Sequence, residues 1–252
     1  MKSDTMFVQK HLETFKSTVD KYFELPEEQR WAGGYATISL VSYLEKQRLN
    51  FDNINMSLSP GQLKFNRDQL LSRAKAESGI SDLEIVLDIF AWGGINRKHA
   101  CLALQSFTSW RDIISKLRNE EYSSIKGYEK FHELRNNNEL SGIGPAYYTK
   151  LIFFCHPEHD GYIMDQWTAR SVNLLLDQSD DLIRLNKSKY FQGVSDYNNH
   201  NNQRVYKKFC CYVKRLAKEC GYQGHPSEIE EALFSKGGRN KLDWRRYVIK
   251  NT

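Results

Sequence analysis

The sequence has no long hydrophobic run. Its longest apolar stretch, Leu151–Cys155, is far shorter than the roughly 20 residues that a helix needs to cross a bilayer. The N-terminal segment carries charges in every turn and has no apolar centre, so we do not expect it to act as a secretory signal. These features exclude a membrane protein and favour one that works in the cytoplasm.

Paired cysteine spacing is also missing. An odd number of irregularly spaced cysteines argues against a disulfide framework and for a reducing compartment. No CxxC pair suggests a zinc site, and no close run of four cysteines could hold an iron–sulfur cluster. The five cysteines are Cys101, Cys155, Cys210, Cys211 and Cys220.

Charge of one sign is not strongly in excess. The 36 Lys and Arg against 31 Asp and Glu give a formal charge of +5. This balance permits a nucleic-acid partner without requiring one. The 252 residues, of which 40% are hydrophobic, suffice for one large domain or for one domain of two lobes.

Strand-like alternation is nowhere sustained over six residues, whereas apolar residues recur at helical spacing. We therefore predict an all-α fold, with polar loops at Asn50–Gln62 and Gln192–Gln203. The predicted helices are Asp4–Phe23, Tyr35–Lys46, Leu63–Lys75, Asp82–Phe90, Arg97–Phe107, Trp110–Leu117, Tyr128–Arg135, Ala146–Cys155, Arg204–Cys220 and Ser227–Ser235.

A short hairpin, LSGIGP, separates two of these helices. Gly142 and Gly144 allow a tight turn, and Ile143 between them can pin that turn to the core. Pro145 suits the first turn of a helix, where a missing N–H costs nothing. Backbone N–H groups at such a helix N-terminus form an anion site that could hold a DNA phosphate. A plain interhelical turn is the alternative interpretation.

An aspartate follows at a defined distance. Asp165 lies 165 − 144 = 21 residues beyond Gly144, after an aromatic helix and a short loop, and it begins another helix that contains Arg170. An N-cap is the ordinary role of Asp at this position. That role is compatible with a chemical one.

This order of features resembles the helix-hairpin-helix DNA glycosylases, which include endonuclease III and the 8-oxoguanine DNA glycosylases. The resemblance covers about 128–176, and the string YYTKLIFF is most similar to the candidate 8-oxoguanine glycosylases of bacteria and archaea. It implies two helical lobes with a cleft between them and a modified base flipped out of duplex DNA. Asp165 would then stabilise the positive charge that develops on the sugar.

The resemblance also concerns a lysine nucleophile. Bifunctional members carry that lysine two residues after the second hairpin glycine, where this chain has Ala146, so lyase activity is in doubt. Lys150 lies one helical turn further on the same face. Its aromatic and aliphatic neighbours could desolvate the amine, as a Schiff-base lysine requires. A solvated helix lysine is the alternative.

The junction FAWGGINRKH falls where the superfamily places its DNA-penetrating loop. We expect Asn96 to fill the gap that a flipped base leaves, and Arg97 or Lys98 to hold phosphates. A helix connection capped by glycines is the alternative. The DNA-binding candidates are Gly94, Asn96, Arg97, Lys98, Gly142, Ile143, Gly144, Ala146 and Arg170.

Three aromatic residues, Trp92, Phe234 and Trp244, are candidates for stacking on the flipped base, with core packing as the alternative for each. Four residues of types that bind metals cluster in the loop before Asp165: His156, Glu158, His159 and Asp160. Without a second cluster at helical spacing, we interpret 156–160 as a polar loop. No metal is therefore expected, and no cofactor other than a monovalent cation at the hairpin. The basic helix at Arg204–Cys220 could add phosphate contacts or simply be solvated.

The function that this resemblance implies is excision of a damaged base, favouring a purine of the 8-oxoguanine type, with or without cleavage of the abasic site. Two alternatives remain open at this point: a glycosylase that excises a hypermodified base from foreign DNA as a defence, and a non-catalytic DNA-binding protein. The expected partner is double-stranded DNA, bound by a monomer associated with the nucleoid.

Overall fold

The prediction of an all-α fold is confirmed. The computed structural model describes residues 7–30, 34–49, 64–176, 182–186, 194, 200–236 and 241–252, and within them β-structure is limited to two isolated bridges. None of the described helices is long and apolar enough to span a membrane. The helices are α1 Gln9–Phe23, α2 Glu27–Arg30, α3 Thr37–Lys46, α4 Arg67–Ala74, α5 Asp82–Trp92, α6 Arg97–Gln105, α7 Phe107–Arg118, α8 Ser124–Asn136, α9 Pro145–Cys155, α10 Gln166–Leu175, α11 Gln203–Glu219, α12 Pro226–Phe234 and α13 Asp243–Asn251.

The chain forms two compact units. Gly33–Gly161 builds one of them, here called the central unit. Met1–Ala32 and Tyr162–Thr252 together build the other, here called the terminal unit. The hairpin and Lys150 belong to the central unit, and Asp165 belongs to the terminal unit.

Helix α9 is the core element of the central unit. It packs against α4, α5, α7 and α8, and its sequence YYTKLIFF is apolar on nearly every side, which suits a helix that is buried all round. Tyr148 is fully buried and stacks on Phe131 of α8, with ring centres 5.6 Å apart. This burial fixes the position at which α9 begins, and hence the position of the hairpin before it.

The terminal unit is built around α10, α12 and α13, with α1 packed against all three. Trp244 of α13 is buried, and its ring lies edge-on to Phe15 at 4.8 Å between centres. Its indole N–H donates to the Ser171 hydroxyl of α10, which in turn donates to the Leu233 carbonyl of α12. These two hydrogen bonds link α10, α12 and α13.

Several helix bounds differ from the prediction. Helix α1 begins at Gln9 instead of Asp4, because Phe7 pairs with Leu176 and the Val8 N–H donates to the Leu175 carbonyl. The segment at Asp243–Asn251, for which no helix was predicted, is helical. The predicted loop Asn50–Gln62 and most of Gln192–Gln203 lie outside the described residues.

Candidate DNA-binding and catalytic sites

The hairpin has the local structure that its sequence predicts. Gly142 has a φ of +78°, a conformation that favours glycine, and Ile143 is 1% exposed and anchors the turn in the core. Gly144 is the N-cap of α9 in an extended conformation, and Pro145 occupies its first turn. Gly144 and Ala146 remain partly exposed, so the backbone at this helix end is accessible to a ligand.

The hairpin packs against α6 at His99 and Ala103. A Cβ atom on Gly142 would lie 2.1 Å from the His99 carbonyl oxygen and 2.9 Å from the Ala103 nitrogen, so only glycine fits. This contact places the turn before α9 against His99, the third residue of α6, within the central unit. Neither helix has an acidic residue in its first turn, so the positive ends of both helix dipoles are uncompensated. Together they form a surface suited to anions.

The start of α6 adds two cations to that surface. Gly94, Asn96, Arg97 and Lys98 are all exposed, while Ile95 among them is buried and holds the segment in place. The Asn96 side chain accepts the Lys98 N–H as the N-cap of α6. Cations at a helix N-terminus are unfavourable for the helix itself. The first turn of α6 therefore carries positive charge from both its side chains and its dipole.

Arg97 is held in a defined orientation. Its guanidinium donates to the Ser39 hydroxyl at 2.6 Å and lies 5.0 Å from the centre of the Tyr35 ring. The Tyr35 hydroxyl donates in turn to the Ile95 carbonyl, and burial raises the pKa of Tyr35 to about 12. Tyr35 is therefore neutral at physiological pH.

Lys150 is a buried lysine. It is 6% exposed, its ammonium donates to the Ala146 carbonyl at 2.8 Å, and it lies 5.1 Å from the centre of the Tyr147 ring. A Cβ on Gly93 would lie 3.0 Å from the Lys150 Cδ atom, so the glycine makes room for this side chain. Lys150 is thus not the solvated helix lysine of the alternative interpretation.

Trp92 is placed as a packing residue. It is 5% exposed, and its ring meets Phe154 of α9 edge-on at 4.8 Å between centres. The prediction allowed for both packing and stacking on a base.

Asp165 is the N-cap of α10, the structural role that its residue type favours. Its Oδ1 accepts the N–H groups of Trp167 at 2.7 Å and Thr168 at 3.1 Å, and the Thr168 hydroxyl accepts the Asp165 N–H. The residue is 8% exposed. Both backbone donors bind the same oxygen, and within the described part of the chain no hydrogen bond goes to Oδ2. The hydrogen bonds to Oδ1 thus fix the orientation of the carboxylate.

A buried arginine accompanies Asp165, and the sequence reasoning did not identify it. Arg245 is 4% exposed, and its guanidinium lies 3.8 Å from the centre of the Trp167 ring and 4.9 Å from that of Phe234. It donates to the carbonyls of Phe234 and Ser235. Burial lowers the pKa of Arg245 to about 10, against the opposing influence of the Asp165 carboxylate. It is therefore a cation at neutral pH.

The remaining predicted residues of the terminal unit lie around this arginine. Arg170 contacts the same Trp167 ring at 5.3 Å and donates to the Thr252 hydroxyl. Phe234 is half-buried, in contact with Arg245. Trp244 is a core residue that also lines a cavity of about 250 Å³ beside Tyr22 and Ser235. Only the sequence DWRRYVIK, basic and aromatic at once, could have drawn attention to Arg245.

An all-helical fold with a hairpin of this kind and an N-capping aspartate after it defines the class of helix-hairpin-helix DNA glycosylases. Residues 28–234 match the family described as "Putative 8-oxoguanine DNA glycosylase OGG-like protein". The chain belongs to this family. Among curated proteins and solved structures, no significant match to the chain was found.

Proposed function

We propose that this protein is a DNA glycosylase that excises a modified purine of the 8-oxoguanine type from duplex DNA, with Asp165 as the catalytic carboxylate. The observation that carries the proposal is the geometry of Asp165. Its Oδ1 is fixed by two backbone N–H groups, while no described residue hydrogen-bonds to Oδ2. Membership of the glycosylase family supports the reaction class, and the resemblance of the YYTKLIFF string supports the purine.

The reaction breaks the bond between C1′ of the sugar and a ring nitrogen of the base. The bonding electron pair leaves with the base, which takes up a proton, and positive charge develops on the sugar. A carboxylate beside the sugar stabilises that charge through Oδ2. The oxygen of a water molecule, having given up a proton, or the nitrogen of an amine then forms the new bond to C1′.

Docking on the duplex would use the surface of the central unit formed by the N-termini of α6 and α9. The backbone N–H groups of the hairpin and the side chains of Arg97 and Lys98 would bind phosphates, which fixes the protein on DNA without reading sequence. Asn96, the exposed N-cap of α6, is the candidate to enter the stack where the base has left it.

Lys150 is the candidate amine for a lyase step. Its burial beside Tyr147 provides the apolar surroundings that a Schiff-base lysine needs. The amine would have to give up its hydrogen bond to the Ala146 carbonyl before it attacks C1′. In that step the C1′–base bond breaks as the C1′–N bond forms, and the base leaves with the electron pair. The amine then loses a proton, the bond from C1′ to the ring oxygen breaks, that oxygen takes up a proton, and a C1′=N imine is left on the opened sugar.

The experiment that tests this function is Asp165→Asn, assayed for release of 8-oxoguanine from a duplex. Asn is as good an N-cap as Asp, so the substitution keeps the helix start and removes only the charge. We expect base release to fall by about 10²- to 10⁴-fold, with DNA binding retained.

A matched control separates capping from catalysis. Asn66 caps α4 with the same capping-box arrangement, and Asn66→Ala should destabilise the protein by about 1 kcal/mol without lowering base release. Turnover in Asp165→Asn equal to that of the parent would exclude the mechanism. Mass spectrometry of the bases released from a panel of modified duplexes would then identify the substrate.

A further inference from the structure

Three potential metal ligands meet in the loop that follows α9. His156, Glu158 and Asp160 stand at alternate positions of the sequence HPEHD, and their ligand atoms all lie within 4.8 Å of one another. The sequence alone favoured a polar loop here. The folded loop instead gathers one imidazole and two carboxylates on one side.

His156 provides the independent evidence for a ligand. Its side chain is 8% exposed, and its Nδ1 atom is buried with no hydrogen-bond partner among the described residues. The nearest carboxylate oxygen, Oδ1 of Asp160, lies 3.8 Å away, too far for a hydrogen bond. An unpaired buried polar atom costs free energy, so a partner at this point would stabilise the loop.

The backbone of the loop is held independently of any ligand. The His159 N–H donates to the His156 carbonyl at 3.0 Å, and the His159 ring bonds to the Phe153 carbonyl. The Ser124 hydroxyl donates to Asp160 Oδ1 and orients that carboxylate. Gly161 allows the close approach, because a Cβ there would lie 2.6 Å from the Ser124 Cβ. Hydrogen bonds of this kind, which orient a ligand from behind, are typical of metal sites.

We propose that His156, Glu158 and Asp160 bind one divalent transition-metal ion, with Zn²⁺ or Mn²⁺ as the best match. An imidazole nitrogen with two carboxylate oxygens suits these ions, whereas Ca²⁺ prefers oxygen ligands alone. Bonds of about 2.0 to 2.2 Å require the three ligand atoms to close by about 1 Å. Glu158 is exposed and can make that adjustment, and water completes the coordination.

The ion would fix the loop whose chain continues into Asp165, five residues after Asp160. It takes no part in the glycosylase reaction proposed above. The test of metal binding is therefore independent of the test of that reaction. Its role is to anchor the C-terminal end of α9.

The test is a metal titration of the full chain after treatment with a chelator, using Co²⁺ followed by visible absorption and Zn²⁺ followed by calorimetry. We expect one equivalent to bind, and a hundredfold excess over Kd to raise the midpoint of thermal unfolding by about 5 °C. Glu158→Gln should weaken binding by about tenfold or more, because it replaces a charged ligand by a neutral one. Loss of a hydrogen-bond partner behind a metal ligand already lowers metal affinity by about 10- to 100-fold. Glu139→Gln, an equally exposed change in the same unit, should leave binding unaltered.

Asp160→Asn provides a second ligand variant. Glu158 is on the surface, so its substitution does not endanger the fold and the result is interpretable even if changes at buried His156 destabilise the protein. Absence of saturable binding would overturn the proposal. Unchanged binding in both carboxylate variants would also overturn it. Near-ultraviolet absorption of Co²⁺–thiolate bonds would then assign the ion to cysteines such as Cys211.

Discussion

The guanidinium of Arg245 lies 3.8 Å from the centre of the Trp167 indole ring, and the backbone N–H of the same Trp167 donates to Oδ1 of Asp165 at 2.7 Å. Cation, ring and carboxylate thus form one connected group in the terminal unit. Because Arg245 is buried, its charge is only weakly screened. The Asp165 carboxylate opposes the effect of burial on the pKa of Arg245 and so helps to keep the arginine charged.

We predict that Arg245→Met lowers the free energy of unfolding by about 1 to 3 kcal/mol, because the buried carbonyls of Phe234 and Ser235 lose their donor. Denaturant unfolding measures this loss. Arg245→Lys keeps a charged donor at the same position and should restore part of the stability. Arg111→Met, at a residue whose side chain is 63% exposed, is the control and should change the stability by no more than about 0.5 kcal/mol. Equal stability of Arg245→Met and the parent would show that the hydrogen bonds of the arginine do not stabilise the terminal unit.

Much of the fold was predictable because it depends on local signals. Helical spacing of apolar residues predicted most of the helices, and the residue preferences of turns predicted Ile143 in the core and Pro145 in the first turn of α9. Asp165 was correctly identified as a possible N-cap from its position alone. These features are set by neighbours within a few residues.

Features set by distant residues were not predictable. Arg245 lies 80 residues beyond Asp165, and nothing in its own segment indicates that it would be buried against Trp167. Likewise, the contact of Gly142 with His99 depends on how α6 packs, which spacing does not reveal. The start of α1 was wrong for the same reason, because pairing with Leu176 competes with the helix.

The packing of the hairpin on α6 predicts an unequal effect of two glycine substitutions. Gly79 has a φ of +72°, and a Cβ atom there would meet nothing within 4 Å, so Gly79→Ala should cost only the strain, about 1 to 2 kcal/mol. Gly142 has a similar φ, and the Cβ atom of Gly142→Ala would in addition be forced against the His99 carbonyl. This substitution should therefore lower the stability by about 1 to 3 kcal/mol more than Gly79→Ala. Denaturant unfolding measures both. Equal losses would mean that the hairpin moves away from α6 without cost.

The surface formed by α6 and α9 predicts a specific salt dependence of DNA binding. Lys98→Ala should weaken binding to all duplexes alike and reduce the slope of log K against log salt by about 1, because one phosphate contact is lost. Arg97→Ala should do the same. Lys10→Ala, an exposed change in α1, is the control for net charge alone. Should all three variants show the same slope as the parent, phosphates are bound elsewhere on the protein.

The burial of Lys150 predicts the outcome of borohydride trapping with DNA that carries the excised base. If Lys150 attacks C1′, the parent protein gives a covalent adduct that Lys150→Ala does not form, since reduction fixes only an imine. Lys150→Ala also leaves a cavity beside Gly93, so its stability must be measured alongside. Lys126→Ala, at a partly exposed lysine of α8 that pairs with Glu129, is the matched control and should still be trapped. An adduct that survives Lys150→Ala assigns the amine to another residue, whereas base release without any adduct in the parent makes water the nucleophile and the protein a monofunctional glycosylase.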